Sequence, residues 1–192
     1  ADGERWKKVL AGTHQVRIVT EKGTDLKFSI GSCPVLVDDA DCRTGGIVGN
    51  IPAGEVFMVP DPGTANGKIV IDASIGSILW HEGDPDCKVE VRGGSAVSFE
   101  SERGKLLEQK LAAAGKNGFV LAEFGIGTNP FLKISGNLLE DEKVKGTIHL
   151  AFGNSASMGG NNDVPVHIDG MVRNPDVFVD GIQVMHKGIW KV

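Results

Sequence analysis

The sequence predicts an α+β fold dominated by β-structure, with mixed or antiparallel twisted sheets and one clear helix. Many short segments are rich in β-branched and apolar residues, and several of them alternate apolar with polar residues, which is the period of a half-buried strand. Glycine is frequent, with 27 residues in a chain of 192, and this suits short strands joined by turns. Only one segment has convincing helical spacing.

The predicted strands begin near the N-terminus. Residues 14–20 are rich in β-branched side chains, and Leu26 and Phe28 alternate with polar residues just after them. Near the C-terminus, Asp180-Gly181 separates two short apolar runs, which is a strong signal for a β-hairpin. Further strands are predicted at residues 68–73, 88–91, 96–99, 119–124, 147–152, 164–172, 177–179 and 182–184.

The clear helix is predicted at about residues 101–114. Ser101 is suited to cap its N-terminus and Gly115 to end it. Its apolar stripe consists of Leu106, Leu107, Leu111 and Ala114. A weaker helix is predicted at residues 4–11. Because no repeat or low-complexity linker divides the chain, we expect a single domain over residues 1–192.

Charge and hydropathy exclude several classes of function. The net charge is −5 without any basic block, which argues against a nucleic-acid surface. No apolar run approaches the ~18–20 residues that a membrane-spanning helix needs, and no signal-peptide pattern opens the chain. Cys33, Cys42 and Cys87 lack CxxC spacing, which argues against a zinc–thiolate site and indicates reduced thiols. We therefore expect a cytoplasmic protein.

Histidines at two places stand in patterns that suit metal binding. His167 and Asp169 are two apart, so in a strand both side chains point to the same face. His149 shares its predicted strand face with Thr147 and Ala151, whose small side chains leave room beside the imidazole. Each pattern alone also fits an ordinary surface pair or a core histidine.

Carboxylates in three further segments add possible oxygen ligands. Glu123 is the only charge in an apolar run, and a buried carboxylate needs a cation, a proton or contact with water. Glu55 lies on a loop shaped by proline and glycine, and an acidic run at residues 140–142 precedes the His149 strand. A strand-end Glu paired with Arg or Lys, a surface turn and a solvated run explain these segments equally well. Together, imidazoles and carboxylates without thiols suit zinc, cobalt, manganese or iron(II) better than calcium.

Other catalytic motifs are absent from the sequence. It contains no phosphate-binding GxxxxGK[ST] loop, no HExxH helix and no GxSxG elbow. The stretch 125–129 is rich in glycine but ends a predicted strand without opening a helix, so it is not a dinucleotide fingerprint. His14, His81 and His186 lack acidic or glycine-rich neighbourhoods and are predicted to be surface histidines.

At these motifs the chain resembles the thermophilic aminopeptidases of the M29 family, also called the aminopeptidase T/S family. The matching stretches follow the family's order along nearly the whole chain and correspond to the metal-binding, C-terminal half of its proteins. They are residues 23–26, 50–57, 123–130, 141–153, 167–169 and 179–181.

The resemblance implies two divalent metal ions, of zinc, cobalt, manganese or magnesium, and the release of N-terminal amino acids from small peptides by a metal-activated water. It also implies a homodimer. Glu123 is expected to accept the proton of the attacking water and pass it to the leaving amine. The residues that match the family's ligand or near-ligand positions are Glu55, Glu123, Glu142, His149, His167 and Asp169.

The chain departs from the family pattern in two respects. The family's N-terminal domain has no counterpart in this sequence. The family also has a tyrosine soon after the strand that carries His149, whereas this chain reads Asn154-Ser155-Ala156 and contains no tyrosine. These differences bear on peptidase activity more than on metal binding.

Two alternatives remain open at this point. Ring-cleaving dihydroxypyridine dioxygenases are similar to this family, and on that interpretation His149, His167 and Asp169 hold a single iron(II) ion, with Glu55 and Glu123 around it. A non-catalytic metal-binding or dimerisation module is the third interpretation. Metal content per chain separates the first two, and a hydrolysis assay separates the first from the third.

Overall fold

The computed structural model describes residues 2–41, 43 and 49–192. It confirms the predicted α+β class dominated by β-structure, and all pairs of named strands are antiparallel. The strands are β1 Gln15–Val19, β2 Asp25–Ser29, β3 Leu36–Asp38, β4 Glu55–Met58, β5 Asn66–Ile71, β6 Cys87–Arg92, β7 Ser95–Glu100, β8 Leu121–Gly127, β9 Ile148–Gly153, β10 His167–Val172, β11 Asp176–Val179, β12 Ile182–His186 and β13 Ile189–Trp190. The α-helices are α1 Asp2–Leu10, α2 Glu102–Ala112 and α3 Leu138–Asp141.

Eight strands form the larger sheet, in the order β13-β12-β11-β1-β2-β5-β6-β7. Its inner face is apolar because buried and exposed residues alternate along the strands, as in β1, where Val16 and Ile18 are buried while Gln15 and Arg17 are exposed. The alternation that predicted β2, which β1 shares, therefore reflects one face in the core and one in solvent.

Five strands form the smaller sheet, in the order β10-β9-β8-β4-β3. Ile148, Leu150 and Phe152 of β9 all belong to the hydrophobic core, as the sequence predicted for this face of the strand. The core is continuous between the two sheets, and Phe28 of the larger sheet meets Phe124 of the smaller one edge to face, with ring centroids 5.4 Å apart. One face of the smaller sheet is thereby used for packing, and the opposite face remains for the polar residues of β8, β9 and β10.

Three strands, one short helix and one helical face differ from the sequence prediction. Strands β3, β4 and β13 were not predicted, because each is short and lacks clear alternation, and the four-residue helix α3 was not predicted either. Leu106 was predicted to lie on the apolar stripe of α2, but it is exposed. The buried face of α2 instead consists of Arg103, Gly104, Leu107 and Leu111, because the helix lies close against the neighbouring strands and Gly104 approaches Cys87 and Phe99.

The C-terminal hairpin was predicted correctly. Strands β11 and β12 pair on either side of Asp180-Gly181, and both turn residues have positive φ, 47° for Asp180 and 83° for Gly181. Positive φ at both central residues matches the right-handed twist of the flanking strands.

No helix in the described part of the chain is long and apolar enough to cross a membrane. Cys87 is buried and Cys33 is partly buried, and both are free thiols. Burial raises the pKa of the Cys87 thiol to about 11, so this thiol is a core residue rather than a nucleophile. Cys42 lies outside the described residues.

Ser101 caps α2 as predicted, and its hydroxyl accepts a hydrogen bond from the backbone N–H of Gly104 at 3.2 Å. Its φ is 77°, a conformation that glycine adopts more easily than serine. We expect Ser101→Ala to lower the free energy of unfolding by about 1 kcal/mol, because it loses the cap and keeps the unfavourable φ. Ser101→Gly should lower the free energy of unfolding by only about a few tenths of a kcal/mol. Urea unfolding of both variants measures the difference, and a larger loss in Ser101→Gly would contradict this account.

Candidate metal centre

Five of the predicted ligands lie on four adjacent strands, on the face of the smaller sheet that points away from the shared core. Glu55 begins β4, Glu123 lies within β8, His149 within β9, and His167 and Asp169 on β10. Residues two apart on a strand share a face, which is why His167 and Asp169 project together.

Small residues between these side chains make room for them. Ala151 of β9 pairs with both Glu123 and Asp169, so a methyl group lies between the two carboxylates. Gly125 pairs with His149, and a Cβ at Gly125 would lie 1.8 Å from the Nε2 atom of His149. A glycine inside an apolar strand signals such a close approach, and this signal was available in the sequence.

Three of the residues form a group that we call the inner triad: Glu55, Glu123 and His149. The Nε2 atom of His149 lies 3.2 Å from Oε1 of Glu123 and 3.3 Å from Oε2 of Glu55. One ligand atom from each residue lies within 4.8 Å of the other two, which is close enough for a common metal ion. All three side chains are buried.

The second group, which we call the outer triad, consists of Glu123, His167 and Asp169, with the same 4.8 Å limit between its ligand atoms. The Nε2 atom of His167 lies 3.0 Å from Oε2 of Glu123 and 3.5 Å from Oδ1 of Asp169. Glu123 therefore stands between the two imidazoles and directs one carboxylate oxygen to each.

The two histidines differ in the hydrogen bonding of their Nδ1 atoms and in the exposure of their side chains. Nδ1 of His167 lies 2.7 Å from the backbone carbonyl oxygen of Asn154; donation by this N–H leaves Nε2 as the atom that faces the carboxylates. Nδ1 of His149 is buried and has no hydrogen-bond partner among the described residues. The His167 side chain is 32% exposed against 1% for His149, so the cluster opens to solvent on the side of the outer triad.

The charges of the cluster shift the pKa values of its members strongly. Burial acts to lower the pKa of His149, but Glu123 and Glu55 raise it well above its ordinary value of 6.5. Burial likewise opposes the charge on His167, but Asp169 and Glu123 raise its pKa to about 11. Burial acts to raise the pKa of Glu123, whereas hydrogen bonds from both histidines lower it to about 2. The carboxylates of Glu55, Glu123 and Asp169 thus require positive charge beside them.

The donor set fits divalent metal ions. Without a metal, protons on His149 and His167 supply the positive charge that the carboxylates of Glu55, Glu123 and Asp169 require. Divalent ions would replace those protons and use the same oxygen and imidazole nitrogen atoms, a combination that suits zinc, cobalt, manganese and iron(II). The shared Glu123 carboxylate, with one oxygen in each triad, suits two neighbouring ions.

Glu142 belongs to neither triad among the described residues. Its carboxylate contacts the amino group of Lys143, which is fully buried and also lies 3.1 Å from Oε1 of Glu55. Burial, together with the charges of Asp169 and Glu55, raises the pKa of Glu142. Burial disfavours the charge on Lys143, but Glu55 and Glu142 outweigh it and raise the pKa of Lys143. Sequence reasoning did not single out Lys143, since it stands in a run of charges that usually faces solvent.

Asp141 is the second residue of that run whose role the sequence did not indicate. It is fully buried, and its carboxylate accepts hydrogen bonds from the backbone N–H groups of Ser135 and Gly136 at 2.7 and 3.0 Å and from the hydroxyl of Ser74. The run is therefore not solvated: Asp141 anchors α3, and this fixes the position of the next two residues.

Asn129 connects the segments that carry Glu55 and Lys143. Its side-chain Nδ2 donates to the carbonyl oxygen of Ala53 at 2.8 Å, and its backbone N–H donates to the carbonyl oxygen of Lys143 at 2.8 Å. The backbone N–H of Lys145 donates in turn to the carbonyl oxygen of Asn129 at 3.0 Å. These bonds hold the end of β8, the loop before β4 and the segment after α3 together.

The other histidines lie outside the cluster. His14 and His81 are exposed, as predicted. His186 is half-buried, and its Nδ1 lies 2.8 Å from Oδ1 of Asp176. The prediction that His186 lacks an acidic neighbour was therefore wrong. The pairing arises because β11 and β12 are neighbours.

This geometry, with carboxylates and histidines gathered on one face of a β-sheet, defines a candidate centre for divalent metal ions. The sequence profile of the thermophilic metalloprotease (M29) family matches residues 1–190. The chain belongs to this family, and the resemblance inferred from the motifs is confirmed. A comparison with curated proteins found no significant match.

Several solved structures share the fold, among them the following two. The 2,5-dihydroxypyridine dioxygenase from Pseudomonas putida KT2440 aligns with a TM-score of 0.89 at 17% identity, over 98% of this chain and 58% of that chain. Wild-type AmpT from Thermus thermophilus aligns with a TM-score of 0.69 at 20% identity, over 98% of this chain and 53% of that chain. At these identities the likeness shows the fold alone, and the chain spans little more than half the length of both structures.

The raised pKa values of the histidines predict how stability depends on pH in the metal-free protein. A histidine whose pKa is raised on folding stabilises the protein fully below its unfolded pKa of about 6.5, and this contribution is lost as the pH rises through the folded value. For His167 that value is about 11. We therefore expect the free energy of unfolding to fall between pH 6.5 and 8.5, by up to about 1 kcal/mol per pH unit for each imidazole after solvent screening.

Urea unfolding in the presence of a chelator measures this dependence. The variant His167→Asn should have a smaller slope, whereas His14→Asn, which changes an exposed histidine outside the cluster, should behave as the wild type. A wild-type stability that rises over this pH range would rule out the proposed ionisation of the cluster.

Proposed function

We propose that this chain forms the metal centre of an aminopeptidase-like hydrolase that uses two divalent ions of zinc, cobalt, manganese or magnesium. The observation that carries the proposal is the position of Glu123, whose two carboxylate oxygens belong to different triads. One oxygen lies 3.2 Å from Nε2 of His149, and the other lies 3.0 Å from Nε2 of His167. Membership of the M29 metalloprotease family supports the same chemistry.

In this arrangement each ion would share one ligand with the other ion and have two ligands of its own. Glu55 and His149 would hold one ion, His167 and Asp169 the other, and Glu123 both. Glu142 lies beside the inner triad, where it would act as a further ligand or as a neighbour of one. When bound, two divalent ions polarise a carbonyl group and lower the pKa of a water molecule.

The residues of the chain itself supply the binding face and the movement of protons. The cluster opens to solvent beside His167, so a peptide N-terminus would enter on that side, and its ammonium group is attracted by the carboxylates. Glu123 lies between the two triads, where it would accept the proton of the attacking water at a carboxylate oxygen and pass it to the leaving amine. Ala151, Gly125 and the inner triad are buried, so other water molecules would reach this position only from the side of His167.

The family likeness extends the proposal to the substrate, the oligomeric state and the cellular compartment. The substrates would be small peptides, the protein would act as a homodimer, and its compartment would be the cytoplasm. Because the aligned part is little more than half of both solved structures, residues outside it would contribute to substrate selection in proteins of that length.

The second candidate is a ring-cleaving dioxygenase with one iron(II) ion, and the likeness to the dihydroxypyridine dioxygenase fold favours it. It would use His149, His167 and Asp169, but the Glu123 carboxylate stands between the two imidazoles. That arrangement supports two ions better than one. A metal-binding module without catalytic activity is the third candidate.

A hydrolysis assay tests the proposed activity. The chain, stripped of metal with a chelator and then supplied with cobalt or zinc, should release the chromophore of an aminoacyl-anilide, with about two ions bound per chain. An N-acetylated form of the same substrate is the control and should not react, since its free amine is blocked. One bound iron and ring cleavage of a dihydroxypyridine would support the dioxygenase instead, and two bound ions without turnover would support the non-catalytic module.

A substitution at Glu123 tests its role as the proton acceptor. Glu123→Gln should lower kcat by about a hundredfold or more at saturating metal, because an amide accepts a proton poorly and offers one oxygen where the carboxylate directs one to each triad. Glu142→Gln is the comparison within the cluster, and Glu100→Gln on an exposed strand is the control. If Glu142→Gln loses turnover while Glu123→Gln retains it, the role belongs to Glu142.

A further inference from the structure

Lys143 is a buried charged residue that the proposed chemistry does not use. Its amino group has no exposure and contacts two carboxylates, those of Glu55 and Glu142. The backbone of Lys143 is fixed by the hydrogen bond from Asn129 and by the anchored end of α3. A buried ammonium group without such partners would be strongly destabilising, so the contact with Glu55 is a fixed part of the fold.

This contact reaches only one of the two triads. Glu55 directs Oε1 to Lys143 and Oε2 to His149, so the inner triad shares one of its carboxylates with a cation that is already present. The acidic residues of the outer triad, Glu123 and Asp169, form no ion pair with lysine or arginine in the described part of the chain.

We propose that Lys143 makes the two halves of the metal site unequal, so that divalent ions bind first to the outer triad and only then to the inner triad. This inference rests on the proposed two-ion site. Two like charges repel strongly where water is excluded, so the Lys143 ammonium group weakens the binding of an ion beside Glu55, and its contact with Glu142 keeps that carboxylate from compensating at the inner triad. Lys143 also acts as a positioning residue, because it holds Oε1 and leaves Oε2 of Glu55 to face His149.

The order of binding can be observed in the wild-type protein. The full chain, stripped with a chelator, is titrated with zinc while NMR spectra record the imidazole signals. The first equivalent should shift the signals of His167, and the second those of His149. Simultaneous shifts of both, or shifts of His149 first, would overturn the proposed order.

Substitutions at Lys143 test the cause of the inequality. Calorimetric titration of the wild type should give two classes of zinc site, and Lys143→Met should bring the two dissociation constants at least about tenfold closer by tightening the weaker one. Lys143→Arg keeps the positive charge and should keep the wild-type difference. Lys133→Met, at an exposed lysine, is the matched control.

The outcomes separate this inference from the proposed function. Two equal sites in the wild type, or a difference that Lys143→Met leaves unchanged, would overturn the role of Lys143 while the two-ion hydrolase stands. Failure of the wild type to bind two ions would overturn both.

Discussion

The mutual repulsion of the Glu55, Glu123 and Asp169 carboxylates is the constraint to which the smaller sheet is adapted. All three are buried, and buried carboxylates are stable only beside positive charge or hydrogen-bond donors. The sheet supplies His149 and His167 from the same face. Apolar side chains of similar size are often as stable as buried ion pairs, so packing alone does not require such a group. Binding of a cation is therefore the natural explanation for the cluster.

The architecture separates packing from chemistry through the alternation of strand residues. Phe152 and Leu150 of β9 face the shared core, whereas His149 and Ala151 face the cluster. A shift of the strand by one residue would exchange these roles and bury the imidazole in the core. The packing of the two sheets consequently fixes the register of the site as well as the stability of the fold.

Much of this arrangement could be predicted from the sequence, because it depends on local patterns. The spacing of His167 and Asp169 placed them on one face, and the isolated charge of Glu123 in an apolar run indicated a buried partner, which turned out to be two imidazoles rather than Arg or Lys. Lys143 and Asp141 could not be predicted in this way. Their burial arises from contacts with residues distant in sequence, such as Ser74, and charged runs give no local sign of it.

The hydrogen bonds of Asn129 link the Glu55 side of the cluster to the segment that carries Lys143. Glu55 begins β4, which pairs with β3 on one edge and with β8 on the other, and the side-chain amide of Asn129 adds a hydrogen bond to Ala53, two residues before Glu55. A displacement of Asn129 would therefore move both partners of the Glu55–Lys143 ion pair together and leave the pairing of β9 with β10 unchanged.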